Sequence, residues 1–169
     1  MPCEAASATM AIDTPLGFSE QFLNLAYNAK AVGSVGASST NAYLFRQTER
    51  HLFEQGLAPL SAIKDMIGSQ ATKGMHALAK YASVVSSCGI WTDGSGFTAI
   101  ETYPAACRKS QPIARLTDSL ESLGVEDLDD ARVCALIAYL FANERSSFDA
   151  PSENIPAREG WIWVPLGKT

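Results

Sequence analysis

Apolar and polar positions along this chain switch between a period of about two and a period of about 3.6, and the switches mark its elements. Residues 9–13 (TMAID) form a short apolar run closed by Pro15 and Gly17, which predicts a buried strand. Ser19 is placed to cap a helix over 20–31, with Phe22, Leu23, Leu25 and Ala26 on its apolar side. The small polar residues of 32–40 predict a loop, and 41–56 a helix that Gly56 ends. The stretch 60–82 reads as mostly helical, with a break near Gly68. Two apolar runs, 84–91 and 97–103, flank a short Asp-Gly loop and predict a hairpin whose second strand stops at Pro104. A helix over 112–123 ends at Gly124. A longer one over 127–143 gathers Val133, Leu136, Ile137, Leu140 and Phe141 on one side. A Pro- and Ser-containing loop leads to GWIWVP at 160–165, a late strand or an extended segment on the core. No internal repeat or domain boundary interrupts this order, and strands mixed with helices predict an α/β domain over 1–169.

Composition narrows the class. The 169 residues are 47% hydrophobic and 18% charged, the balance of a globular chain with a real core. No apolar stretch reaches the roughly 18–20 residues that cross a bilayer, and the N-terminus lacks the basic-then-apolar pattern of a secretory signal. Cys3, Cys88, Cys107 and Cys134 form no CxxC pair. A zinc site or disulfide framework is not expected, and a reducing cytoplasm is. The net charge of −5 argues against binding nucleic acid by bulk electrostatics, although metal-binding carboxylates would also make a chain look acidic.

The candidate chemistry lies in acids at unfavourable places. Asp13 ends one apolar run and is followed by Thr-Pro. Glu101 ends another and is followed by Thr-Tyr-Pro. Strand alternation sets Glu101 on one face with Phe97, Ala99 and Tyr103, where a carboxylate is costly unless paired or metal-bound. Asp127 and Asp130 lie three apart where an apolar helix starts, and Asp130 should look inward. A strand-end Asp, a strand-end Glu and helix-borne Asp residues are the parts of a site for Mg²⁺ or Mn²⁺. The plain alternatives are a turn cap for Asp13 and helix-dipole stabilisation for the helix-start acids, above all Asp129. Arg46, Glu49 and Arg50 share helical spacing, which ion pairs explain and phosphate contact by Arg46 or Arg50 would also suit. His51 and His76 have no partner at ligand spacing, and Trp161 and Trp163 suit packing. There is no GxGxxG, P-loop or GxSxG, and GSVG at 33–36 lacks the Lys of a nucleotide loop.

Five segments in this order carry a resemblance. They are IDTPLG at 12–17, RQTER at 46–50, ETYP at 101–104, the run from Asp127 through Asp130, Ala131, Cys134 and Ala135, and EGWIWVP at 159–165. Together the chain resembles the family called domain of unknown function 429, described as predicted nucleases of the ribonuclease H-like fold. The resemblance spans about 10–165. It implies a ribonuclease H-like mixed sheet flanked by helices and metal-dependent phosphodiester hydrolysis. Asp13, Glu101 and Asp130 would hold one or two Mg²⁺ or Mn²⁺ ions, with Asp127 as a further ligand and Arg46 and Arg50 on the phosphate. Such folds begin with a three-stranded meander whose first strand carries an acid, and the motifs here start at residue 10. The expectation is therefore an N-terminally truncated member whose open sheet edge favours a homo-oligomer or a covering partner. Nucleic acid, DNA or RNA, is the substrate class implied, and no membrane. The other readings are a non-catalytic binding or assembly module that keeps the fold, and a hydrolase of a small phosphorylated metabolite.

Overall fold

The computed structural model describes residues 7–167 and is a mixed α/β structure. Its four strands are β1 (Ala8–Ile12), β2 (Val84–Ser87), β3 (Ile90–Thr92) and β4 (Phe97–Glu101), in sheet order β1-β4-β3-β2. β1 runs parallel to β4, with Ala8 opposite Phe97 and Ile12 opposite Glu101. β2, β3 and β4 form an antiparallel meander. The run 84–91 is thus two strands rather than one. It turns at Cys88-Gly89, where Gly89 has φ 71° and a Cβ would lie 2.5 Å from Trp161 Cβ, so only glycine lets the turn sit under the tryptophan.

The helices are α1 (Glu20–Asn28), α2 (Gln47–Glu54), α3 (Asp65–Tyr81), α4 (Pro104–Cys107), α5 (Gln111–Thr117) and α6 (Glu126–Asn143). Ser19 caps α1 as expected, its Oγ accepting from Phe22 N at 3.1 Å. α3 continues through Gly68 without a break. The roughly 1 kcal/mol that glycine costs a helix interior is offset by packing, because Leu78 is buried against Trp91 and Ala99. Gly74 brings α3 against the segment after β1, where a Cβ would meet Thr14 Cγ2 at 2.6 Å. Pro104 both stops β4 and opens α4 as its first residue, a position where the missing N–H costs nothing. α5 is shorter than expected, and Gly124 lies in the loop beyond it.

Alternation sorts the sheet's side chains into two apolar clusters. Ala11, Ile90 and Ile100 share one with Val133, Ile137 and Phe141 of α6. Leu16, Trp91 and Ala99 share the other with Leu78 and Ala82. Four of the five apolar residues expected along α6 are buried, and Leu136 is partly so. GWIWVP is extended and docks at the end of β4, with Trp163 N donating to Glu101 O at 2.9 Å. The helices and strands therefore meet where β1 and β4 end, at Asp13 and Glu101. Among the described residues no helix is long and apolar enough to cross a membrane.

Candidate functional site

Parallel pairing carries β1 and β4 to a common end. Thr102 N donates to Ile12 O at 3.0 Å, so Asp13 and Glu101 leave the sheet side by side. From there their environments diverge.

Glu101 is 2% exposed and fully engaged. Its Oε2 accepts from Arg46 Nη1 at 2.7 Å and from Leu16 N at 2.8 Å, and its Oε1 accepts from Arg46 Nη2 at 2.5 Å. Arg46, 1% exposed, also gives Nε and Nη2 to Glu49 Oε1 at 2.9 and 2.5 Å. Glu49 Oε2 in turn accepts from Arg46 N at 2.7 Å and so closes the first turn of α2. Burial pushes the Glu101 carboxyl up, against the pull of Arg46. Burial alone would lower the Arg46 guanidinium, but Glu101 and Glu49 outweigh it and hold the cation well above its ordinary value.

Glu159 completes this network. Its Oε1 accepts from Gln47 N at 2.5 Å and its Oε2 from Glu20 N at 3.3 Å, so one buried carboxylate caps the first residues of both α1 and α2. Thr48 Oγ1 accepts from Ile162 N at 2.9 Å. Arg46, Thr48, Glu49, Glu101 and Glu159 therefore tie the end of β4, two helix starts and the late segment into one buried unit.

Asp13 stands outside it. Its side chain keeps an exposed face yet is crowded by protein, and its carboxyl is raised to about 6, by desolvation first and then by the charges of Asp130 and Glu101, with Arg108 opposing. Asp130 is half-buried and does look inward. It lies 2.5 Å from Arg108 Nη2 in an ion pair without hydrogen-bond geometry, which leaves its Oδ1 with no hydrogen-bond partner. Asp127, one helical step away, is exposed and lines the same groove as Asp13 and Asp130. Asp129 points elsewhere, to Ser122 Oγ, Leu123 N and Arg132.

No family model, no curated protein and no solved structure matches this chain.

The residues read from the sequence thus fall into two groups. Asp13 and Asp130 come together at the end of β1, and Asp127 lines the same groove. Glu101 and Arg46 are next to them but spent on each other, so Arg46 cannot meet a phosphate. Arg50 makes no ion pair among the described residues, and its Nε is buried without a hydrogen-bond partner. Glu101 is a poor metal ligand here, since a hard cation would have to displace a guanidinium and a backbone N–H from its oxygens. Among the described residues no three His, Cys, Asp or Glu side chains converge closely enough to hold a metal ion. Asp13 and Asp130 have the oxygen chemistry for one, but as a pair they fall short of a set.

Three further residues of this region escape sequence reasoning. Glu159 and Arg108 act across more than a hundred and about twenty positions respectively, which no local spacing reveals. His51 is not isolated. Its Nε2 lies 2.6 Å from Asp149 Oδ2, its ring stacks 5.2 Å from that of Trp161, and Gln55 Nε2 joins the same Asp149 oxygen at 2.7 Å. Gln55, the residue just past α2, lies one helical turn from His51.

Proposed function

We propose that this chain is a non-catalytic binding and assembly module, which keeps a ribonuclease H-like scaffold and engages a protein partner at the edge of β1 that no strand among the described residues covers. The observation that carries this reading is the saturation of Glu101 by Arg46. It removes one of the carboxylates on which hydrolysis through a metal would depend and makes it a strut between β4, the segment after β1 and the start of α2. Kinship with the family called domain of unknown function 429 is part of the reading. Its support is that four of the motif segments, IDTPLG, RQTER, ETYP and EGWIWVP, contribute atoms to the network around Arg46. A protein partner suits the chain better than nucleic acid, because the net charge is −5 and the most strategically placed arginine is buried.

The second reading is metal-dependent phosphodiester hydrolysis, favoured by the juxtaposition of Asp13 and Asp130 at a strand end. It needs ligands beyond those two. The experiment is a turnover assay with Mg²⁺ and with Mn²⁺ on single-stranded DNA, RNA and bis(p-nitrophenyl) phosphate. The binding module gives rates equal to the protein-free blank. Turnover that the Asp13→Asn variant loses would overturn it in favour of the hydrolase.

A further inference from the structure

The edge of β1 away from β4 carries peptide groups with a defined direction. Ala8 N donates to Gly96 O at 2.9 Å, and Ile12 O accepts from Thr102 N at 3.0 Å. In a parallel ladder the residues bonded to one neighbour alternate with those facing the other way, so the N–H and C=O of Thr9 and Ala11 point to the open side. Among the described residues no strand pairs with that side. All five residues from Thr9 to Asp13 line a groove of about 690 Å³ that runs along this edge. Side chains from both faces of a strand line one groove only when that groove lies at the strand's edge.

The walls suit a strand. Ala77 of α3 stands on one side, and Ala131, Ala135 and Ala138 of α6 line it with them. Methyl side chains set the helix surfaces back and leave space for the side chains that an added strand, about 4.8 Å from β1, would project above and below the sheet. The far end is acidic, with Asp13, Asp127 and Asp130 lining it and Arg108 the cation paired there with Asp130.

We infer that this groove receives an extended peptide segment of a partner protein as a fifth strand on β1, with a Lys or Arg side chain seated among Asp13, Asp127 and Asp130. Main-chain bonds to Thr9 and Ala11 would supply register, and the basic residue specificity. A second copy of this chain meets the charge requirement poorly, since residues 7–17 contain no Lys or Arg to offer from an opposing β1. The inference rests on the binding-module reading and goes beyond it by naming the partner's conformation and charge.

The experiment pans a random twelve-residue peptide library against the full chain and measures the enriched peptides by fluorescence polarisation and amide hydrogen exchange. The expected peptides carry alternating β-branched or small apolar residues and one Lys or Arg, and slow the exchange of Thr9 and Ala11 amides at least tenfold. Thr9→Pro, which removes an outward N–H while leaving the bonds to β4, should weaken binding at least tenfold. So should Ala135→Trp, which fills the groove from an exposed helix position and covers the case in which the proline variant fails to fold. Asp13→Asn combined with Asp127→Asn should weaken basic peptides and spare versions with the Lys replaced by Gln. No enrichment, or binding with no protection of Thr9 and Ala11, overturns the strand site. Enriched neutral or acidic strands that Thr9→Pro still abolishes overturn the basic occupant alone and leave the module reading standing. Binding of acidic strands only with Mn²⁺ present overturns the basic occupant and favours the hydrolase.

Discussion

Arg46 meets the Glu101 carboxylate end-on with its guanidinium fork, Nη1 2.7 Å from Oε2 and Nη2 2.5 Å from Oε1, and both side chains are sealed from water. The same cation serves Glu49, so one arginine is shared by two buried acids, one on α2 and one at the end of β4. Breaking such a pair costs more than making it gains, because the abandoned carboxylates cannot reach solvent. Arg46→Met should therefore lower unfolding stability by about 3–5 kcal/mol. Arg46→Lys should lose about 2 kcal/mol, since an ammonium cannot meet both acids with a planar fork. Urea unfolding measures both. Stability equal to wild type in Arg46→Met would mean that the acids are held protonated and that the network is not ionic.

Glu159 holds two helix starts with the two oxygens of one side chain, Gln47 N on one and Glu20 N on the other. Glu159→Ala should cost about 1–2 kcal/mol, the range for losing a helix cap. Glu159→Gln should cost less, because its amide oxygen still accepts from one of them. Amide exchange resolves the claim further: protection should fall at Glu20 and Gln47 together in the Ala variant. Loss at only one of them would confine the capping to a single helix.

Much of the scaffold was legible, and the reasons are local. Ser19 capping Phe22 N, the apolar side of α6 and the strand read over 97–103, which ends at Glu101, all follow from spacings of four residues or fewer, which the sequence displays directly. The turn at Cys88-Gly89 was missed because the apolar ends of 84–91, Val84-Val85 and Ile90-Trp91, read as one run across the small residues between them, and Trp161, which packs on that turn, arrives from far along the chain. At the site, the position of Asp13 beside Glu101 follows from two strand ends. The choice between metal ligand and ion-pair partner for Glu101 depends on Arg46, fifty-five positions away. Burial of an acid at a strand end is written in the pattern; the identity of its partner is not.

Gly89 gives a test of that long-range contact. With φ 71° and Trp161 N 2.9 Å from where a Cβ would stand, Gly89→Ala combines left-handed strain with a clash against backbone. A loss of about 2–4 kcal/mol is expected. Gly94 is the control: its φ is 79° but nothing lies within 4 Å, so Gly94→Ala should lose only about 1 kcal/mol. Thermal unfolding of the two variants side by side separates conformational strain from the tryptophan contact. Equal losses would remove the contact from the account.

Asp13 makes stability depend on pH in a direction opposite to most carboxylates. Its folded value of about 6 exceeds the ordinary 3.8, so between these pH values the folded chain binds more protons at this group than the unfolded chain. Stability from this group is therefore greatest at and below pH 4 and declines as pH rises through about 6. Above that, the ionised carboxylate is partly desolvated and sits against Asp130 and Glu101, a cost that solvent on its exposed face reduces. Asp13→Asn removes the charge and keeps the shape. It should raise the melting temperature by about 2–4 °C at pH 7.5, the shift of roughly 1 kcal/mol in a chain this long, and the gain should vanish by pH 4. Melting curves of both proteins from pH 4 to 8 test this. A variant that melts lower than wild type at pH 7.5 would show that ionised Asp13 has a stabilising partner, and would turn attention to a cation at the end of β1.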